Sequence, residues 1–327
     1  MKKLLSMLIC LGLLFSVSSF GSAEADAPRD LAALRAQAEA GDAAAQNELG
    51  ICYGKGDGVE QSWEQAVYWY TQAAQQGFAR AQSNLGACYL QGLGCKQNIE
   101  KGFSLIRTAA EQGNSGGQFN LGLCHEKGIG TPQDWDQAFY WYSLSAQQGD
   151  AQALNALGEC YEWGRGTQAD LSRAFQLYEQ SALLGYARAQ FSLALCYENG
   201  KGTAADQALA LYWYEKAGVQ GHPNAQCNLG IYYQLGYGTA PDYEKAAYWY
   251  TLAAEQGVSA AQYNLGVAYR KGRGVEQNDE TAVYWYTLAA EQGMPEAQHN
   301  LALCYELGMG TPVDLEKAAH WYKQAAE

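Results

Sequence analysis

Nine cysteines, four histidines and 34 carboxylates are the side chains of this 327-residue chain with chemistry to offer, and their spacing decides how much of it can be used. Cys52, Cys88, Cys124, Cys160, Cys196 and Cys304 recur at one phase, each three residues after a leucine. In an oxidising compartment such a row suggests a disulfide ladder. Neighbouring helices stand about 8–10 Å apart, whereas bridged Cα atoms must come within about 7 Å, so the row reads instead as small apolar side chains in a core. Lysine-activated serine chemistry needs Ser-x-x-Lys, and no serine here has lysine three places on. His125, His222, His299 and His320 lack a metal-ligand spacing such as His-Glu-x-x-His. His125 fills a slot that holds tyrosine elsewhere and reads as packing. Gly200-Lys201 is followed by Gly202, where a phosphate loop needs Ser or Thr. The carboxylates fit a solvated acidic face. No catalytic residue, metal or cofactor is expected.

The elements that carry these residues are preceded by a leader-like stretch. Met1, Lys2 and Lys3 open the chain, an apolar run covers Leu4 to Phe15, and small residues follow at Gly21-Ser22-Ala23. This pattern predicts a signal peptide over 1–23, cut after Ala23 or Ala25, and a secreted or periplasmic protein. The run is shorter than the roughly 20 apolar residues that span a bilayer, so no membrane insertion is expected after cleavage. Without Lys2 and Lys3, 19 basic residues face 34 acidic ones. Such a surface repels phosphate backbones, and nucleic acid is excluded as an expected partner.

Leu49, Leu85, Leu121, Leu157, Leu193, Leu229, Leu265 and Leu301 stand 36 residues apart with no insertion or deletion. A glycine follows each leucine by seven residues and another by nine, from Gly56 and Gly58 to Gly308 and Gly310. The pair predicts the end of a helix and a turn. Thirteen residues after the leucine come Ser62, Asn98, Asp134, Asp170, Asp206, Asp242, Asn278 and Asp314, each suited to cap a second helix. Within that helix Ala66, Trp69, Tyr70, Ala73 and Ala74 make one stripe at i, i+3, i+4, i+7 and i+8. On the first helix Ala45, Leu49, Cys52 and Tyr53 share a face, and Gly50 beside them permits a close neighbour. One such hairpin cannot bury its own stripes, whereas stacked hairpins bury them against each other. The expected organisation is a capping helix in 24–41, then eight repeats: 42–77, 78–113, 114–149, 150–185, 186–221, 222–257, 258–293 and 294–327. The last repeat carries no polar cap, which leaves its flank to a partner or a second copy.

The phrases AQYNLG (Ala261 to Gly266), KGRGV (Lys271 to Val275) and AVYWYTLAAEQG (Ala282 to Gly293) closely resemble Sel1-like repeats of the exported bacterial type, and the resemblance covers residues 30 to 327. Tetratricopeptide repeats compete, but their period is about 34 and they lack the Gly-x-Gly turn. The resemblance implies an all-α, right-handed superhelical solenoid of antiparallel helix pairs, first helices lining the concave side, with an adaptor or scaffold role and no catalytic residues. A cysteine-rich branch of the family bridges the end of one repeat to the start of the next. The matching positions here, Ala74 and Gln46 or Ala110 and Gln82, hold no cysteine. Cys95, in the turn of repeat two, is the one candidate mate for Cys88. Relatives in that branch interact with β-lactams, which makes a cell-wall-directed protein the alternative to a scaffold.

A partner is expected on the first helices, at positions that project opposite the core stripe. Two residues after the leucine the chain has Ile51, Ala87, Leu123, Glu159, Leu195, Ile231, Val267 and Leu303; two before it stand Phe119, Phe191 and Tyr263, and five after it Glu126, Glu162, Glu198 and Glu306. This describes an apolar floor with an acidic rim, suited to a protein or peptide segment that combines apolar or aromatic side chains with Lys or Arg. A tightly wound array would instead bury that floor. Asn84, Asn120, Asn228, Asn264 and Asn300 form a ladder just before the leucine that could hold a partner's backbone or fix a neighbouring part of the array. Repeat two replaces the Ala-Trp-Tyr stripe with Gly102, Leu105 and Ile106, and Gly116-Gly117 begins repeat three, so the array is expected to open first at this junction.

Overall fold

A computed structural model of the chain describes residues 30–326; the expected leader lies outside the described residues. Everything regular in that range is helix. The contacts divide the chain into two units, the first ending at Leu177 and the second starting at Tyr178.

Unit 1 begins with α1 (Leu31–Glu39), capped by Asp30, followed by the hairpins α2 (Ala43–Lys55) with α3 (Trp63–Gln75), α4 (Ala79–Gln91) with α5 (Ile99–Glu111), and α6 (Ser115–Lys127) with α7 (Trp135–Gln147). Helix α8 (Ala151–Trp163) follows, and the unit boundary falls within α9 (Leu171–Leu183). Each second helix lies against the first helix of the next repeat: α3 on α4, α5 on α6, α7 on α8. The core is a chain of clusters that run from repeat to repeat. Ile51, Ala66 and Tyr70 of the first join Leu85 and Cys88 of the second, and Ile106 and Ala110 of the second join Leu121 and Cys124 of the third.

Unit 2 repeats the pattern with α10 (Ala187–Asn199) and α11 (Gln207–Val219), α12 (Pro223–Leu235) and α13 (Tyr243–Glu255), α14 (Ser259–Lys271) and α15 (Asp279–Glu291), and α16 (Pro295–Leu307) and α17 (Leu315–Ala325). One cluster holds Ala194, Tyr214, Leu229, Tyr232, Tyr250 and Leu265; another holds Tyr286, Ala290, Leu301 and Cys304.

The caps are where the sequence puts them. Ser62, Asn98 and Asp134 in unit 1, and Asp206, Asp242, Asn278 and Asp314 in unit 2, each accept from a backbone N–H three residues on. Asp170 does the same for Arg173 at 2.9 Å. Two glycines show why that residue is needed. Gly230 lets the Tyr250 ring lie flat on α12, since a Cβ there would meet the ring at 2.3 Å. Gly274, at φ +74°, brings its turn onto the start of the preceding second helix, where a Cβ would fall 1.9 Å from the Tyr243 carbonyl oxygen. Six tyrosines that follow the tryptophans, from Tyr70 to Tyr286, or hold the same slot, are fully buried, among them Tyr142, Tyr178, Tyr214 and Tyr250.

A polar device that the apolar pattern does not announce ties the hairpins together. Gln76 Nε2 donates to Gln46 Oε1 at 2.8 Å, and Gln46 Nε2 donates to the Ala38 carbonyl at 3.0 Å. The buried first glutamine thus joins its own second helix to the one before it. The pair recurs as Gln148 to Gln118 in unit 1 and as Gln220 to Gln190, Gln256 to Gln226 and Gln292 to Gln262 in unit 2, each at 2.7 Å. In repeat four both positions are leucine, Leu154 and Leu184. A buried amide with both ends bonded contributes about 1 kcal/mol, but one left unpaired costs about 1–3 kcal/mol. Both partners therefore change together.

The repeated cysteines are core residues: Cys88 and Cys124 are fully buried and Cys160 and Cys304 nearly so. Burial pushes the Cys88 and Cys124 thiols up to about 12, so they stay protonated and unreactive near neutral pH. The bridge considered between Cys88 and Cys95 is not formed, and both are free thiols. Cys88 faces inward with Tyr70 and Leu85, while Cys95 sits half-buried in the turn at the edge of that cluster.

Candidate functional site

The first helices expose different faces in the two units. In unit 1 the apolar floor positions are buried, Ile51 at 6% exposure, Ala87 at 1%, Phe119 and Leu123 at 8% each, while Glu159 of repeat four is half-buried. Phe119 packs against Tyr142 with ring centroids 5.7 Å apart. The asparagines are used inside the array. Asn84 Nδ2 donates to Asn47 Oδ1 at 3.0 Å, and Asn120 Nδ2 donates to Ser83 Oγ at 3.1 Å, each reaching back one repeat. Asn84 and Asn120 thus fix a neighbouring first helix.

In unit 2 the same positions lie at the surface in part: Phe191, Leu195, Ile231, Tyr263, Val267 and Leu303 are half-buried, as are Asn228, Asn264 and Asn300. Phe191 stacks on His222, with centroids 4.6 Å apart and rings 20° from parallel. His222 also caps α12, its Nδ1 accepting from the Ala225 N–H at 3.2 Å. Burial, with Arg188 nearby, lowers its pKa and keeps the ring neutral, as the cap requires.

The glutamates of the expected rim have an internal role that composition hides. Tyr142 Oη donates to Glu126 Oε2 at 2.6 Å in unit 1, and Glu126 also pairs with Lys127 at 2.5 Å. In unit 2 Tyr214 donates to Glu198 at 2.5 Å and Tyr322 to Glu306 at 2.6 Å. The signal in the sequence is a 16-residue interval between acceptor and tyrosine, which Gln234 and Tyr250 keep at 3.2 Å. Burial raises the Tyr142 and Tyr214 phenols well above their ordinary range, and the carboxylates add to the effect. Glu162 is half-buried at the equivalent place in repeat four. His125 is half-buried against Phe103, and burial lowers its pKa, consistent with packing.

Antiparallel helix hairpins of one fixed length, each packed on the next, define a helical-repeat protein. Sel1 repeats match at residues 43–78, 79–114, 115–150, 151–186, 187–222, 223–258, 259–294 and 295–327. The chain belongs to the Sel1 repeat family. It is similar to a protective antigen of uropathogenic Escherichia coli strains that displays an SLR fold, at 34% identity over 90% of this chain and 70% of that one, with a TM-score of 0.62. A Sel1 repeat protein from Oxalobacter formigenes is 31% identical over 98% of this chain and 89% of its own, with a TM-score of 0.63. No curated protein is significantly similar to the chain. Sel1 repeat proteins are generally protein-interaction scaffolds and typically non-enzymatic.

Proposed function

We propose that this chain is an exported scaffold, secreted or periplasmic, that holds a segment of a partner protein on the first helices of unit 2. The half-exposed row Phe191, Leu195, Ile231, Tyr263, Val267 and Leu303 carries this reading, because a repeat protein that needed those positions only for its core would bury them, as unit 1 does. The partner segment combines apolar or aromatic side chains with Lys or Arg, the latter meeting an acidic chain. Export rests on the leader pattern at residues 1–23.

The test is capture of partners from an envelope extract with the mature protein and with a Leu195→Ser, Tyr263→Ser, Val267→Ser variant. Loss of partners from a variant that keeps its helical signal supports the reading; equal capture overturns it. Terminal sequencing of the exported protein is expected to start at Glu24 or Asp26.

A further inference from the structure

Tyr212, Tyr248 and Tyr284 occupy one position in three consecutive second helices of unit 2, and they are 46%, 58% and 56% exposed. Single exposed aromatics need no explanation, but three at one phase make a row. Each is braced by the half-buried tryptophan that follows it. Tyr212 and Trp213, Tyr248 and Trp249, and Tyr284 and Trp285 meet edge to face, with centroids 5.1, 5.2 and 5.0 Å apart. His320 and Trp321 continue the row in the last repeat. A ring held this way is already oriented, so little freedom is lost when something lands on it.

The chain itself shows what such a ring accepts. Lys216, one turn after Tyr212, places its ammonium 5.3 Å from the ring centroid. The corresponding positions after Tyr248 and Tyr284 are Leu252 and Leu288, and among the described residues no cation lies over either ring. Glu244 and Glu280 stand four residues before these tyrosines, on the same helix face and exposed. A carboxylate beside an open aromatic face is attractive to a cation and repels an anion.

We propose that this face of α11, α13 and α15 is a second docking surface, for an extended partner segment bearing lysine or arginine. One cation sits on Tyr248 beside Glu244 and the next on Tyr284 beside Glu280. Consecutive second helices are not closely packed on one another, a first helix lying between them in the packing order, so the two rings stand at least one helix spacing of about 10 Å apart, and the basic residues that reach them are at least three or four extended residues apart. The surface is on the second helices, and it can be occupied while the first helices hold another partner.

The test uses the mature protein and a fluorescein-labelled decapeptide with lysine at every third position and serine between, read by anisotropy at low salt. Replacing Tyr248→Ser and Tyr284→Ser together is expected to weaken binding about tenfold, and Glu244→Gln with Glu280→Gln about threefold. The Tyr248→Phe, Tyr284→Phe pair keeps the parent affinity, since the ring and not the hydroxyl holds the cation. All four side chains changed are exposed, so the helical signal and unfolding midpoint stay those of the parent. The proposal is overturned if the serine pair binds the peptide as tightly as the parent, if the phenylalanine pair loses as much as the serine pair, or if neutral chitotetraose binds in the peptide's stead and is lost with the same tyrosines.

Discussion

Unit 1 and unit 2 are built from one hairpin yet present different surfaces. Two residues before the repeat leucine, unit 1 carries Asn47, Ser83, Phe119 and Asn155, all buried, and its asparagines bond from repeat to repeat. Unit 2 carries Phe191 and Tyr263 at the same place, half-buried, with His299 exposed and Cys227 alone buried. On the second helices the contrast repeats: Tyr68 and Tyr140 of unit 1 are separated by Ser104, while the row of unit 2 is unbroken from Tyr212 to Tyr284. The core is common property, and the difference lies in a few positions that the core does not constrain. A repeat array can therefore specialise one unit for cohesion and another for contact without altering its period.

Substitutions can break or sharpen that comparison. The largest effect is expected at the shared core. Tyr70→Ala in unit 1 and Tyr250→Ala in unit 2 each cost about 3–5 kcal/mol, measured by urea unfolding. A large inequality between them would mean that the cores, and not only the surfaces, have diverged. Asn84→Ala leaves Asn47 without its partner and costs about 1–3 kcal/mol, whereas Asn264→Ala stays within about 0.5 kcal/mol. Equal costs would erase the distinction between an inward and an outward ladder.

Within unit 1, amides around Gly102 and Gly116-Gly117 are expected to exchange about tenfold faster than those of repeats six to eight, because helical glycine costs about 1 kcal/mol against alanine. Gly102 and Gly117 are also points of close helix approach, where a Cβ would fall 2.8 Å from the Gly86 carbonyl oxygen or 2.9 Å from Ala110 N. If that packing outweighs the propensity cost, the region exchanges no faster. The smallest effect is at His222. Its folded pKa is lowered, so its contribution is complete above the unfolded value near 6.5 and is lost as pH falls through the folded one. A Tm about 2 °C lower at pH 5 than at pH 7.5, absent in His222→Asn, is the expected result.

The period, the caps and the turn glycines were legible in the sequence because each is a local requirement that repeats in phase. Asp206 or Gly274 announces its role without reference to anything distant. The exposure of the floor was not legible, since Leu123 and Leu195 are the same residue at the same phase and differ only in how closely neighbouring repeats cover them. The rim glutamates misled for a related reason: a carboxylate on a helix reads as solvated until the tyrosine 16 residues on is seen to need an acceptor. The glutamine pairs left a trace in the joint appearance of Leu154 and Leu184, but polar residues drop out of any reading based on apolar stripes.

Those glutamine pairs bear on how such a chain changes over generations. Outside repeat four, both amides and the carbonyl they reach recur at constant offsets, so excising or duplicating one full 36-residue period there rejoins ends that already fit. An event of any other size would strand a buried amide. The gene can thus lengthen or shorten its product by whole periods, and a partner that outgrows the array can be met by recombination instead of by redesign.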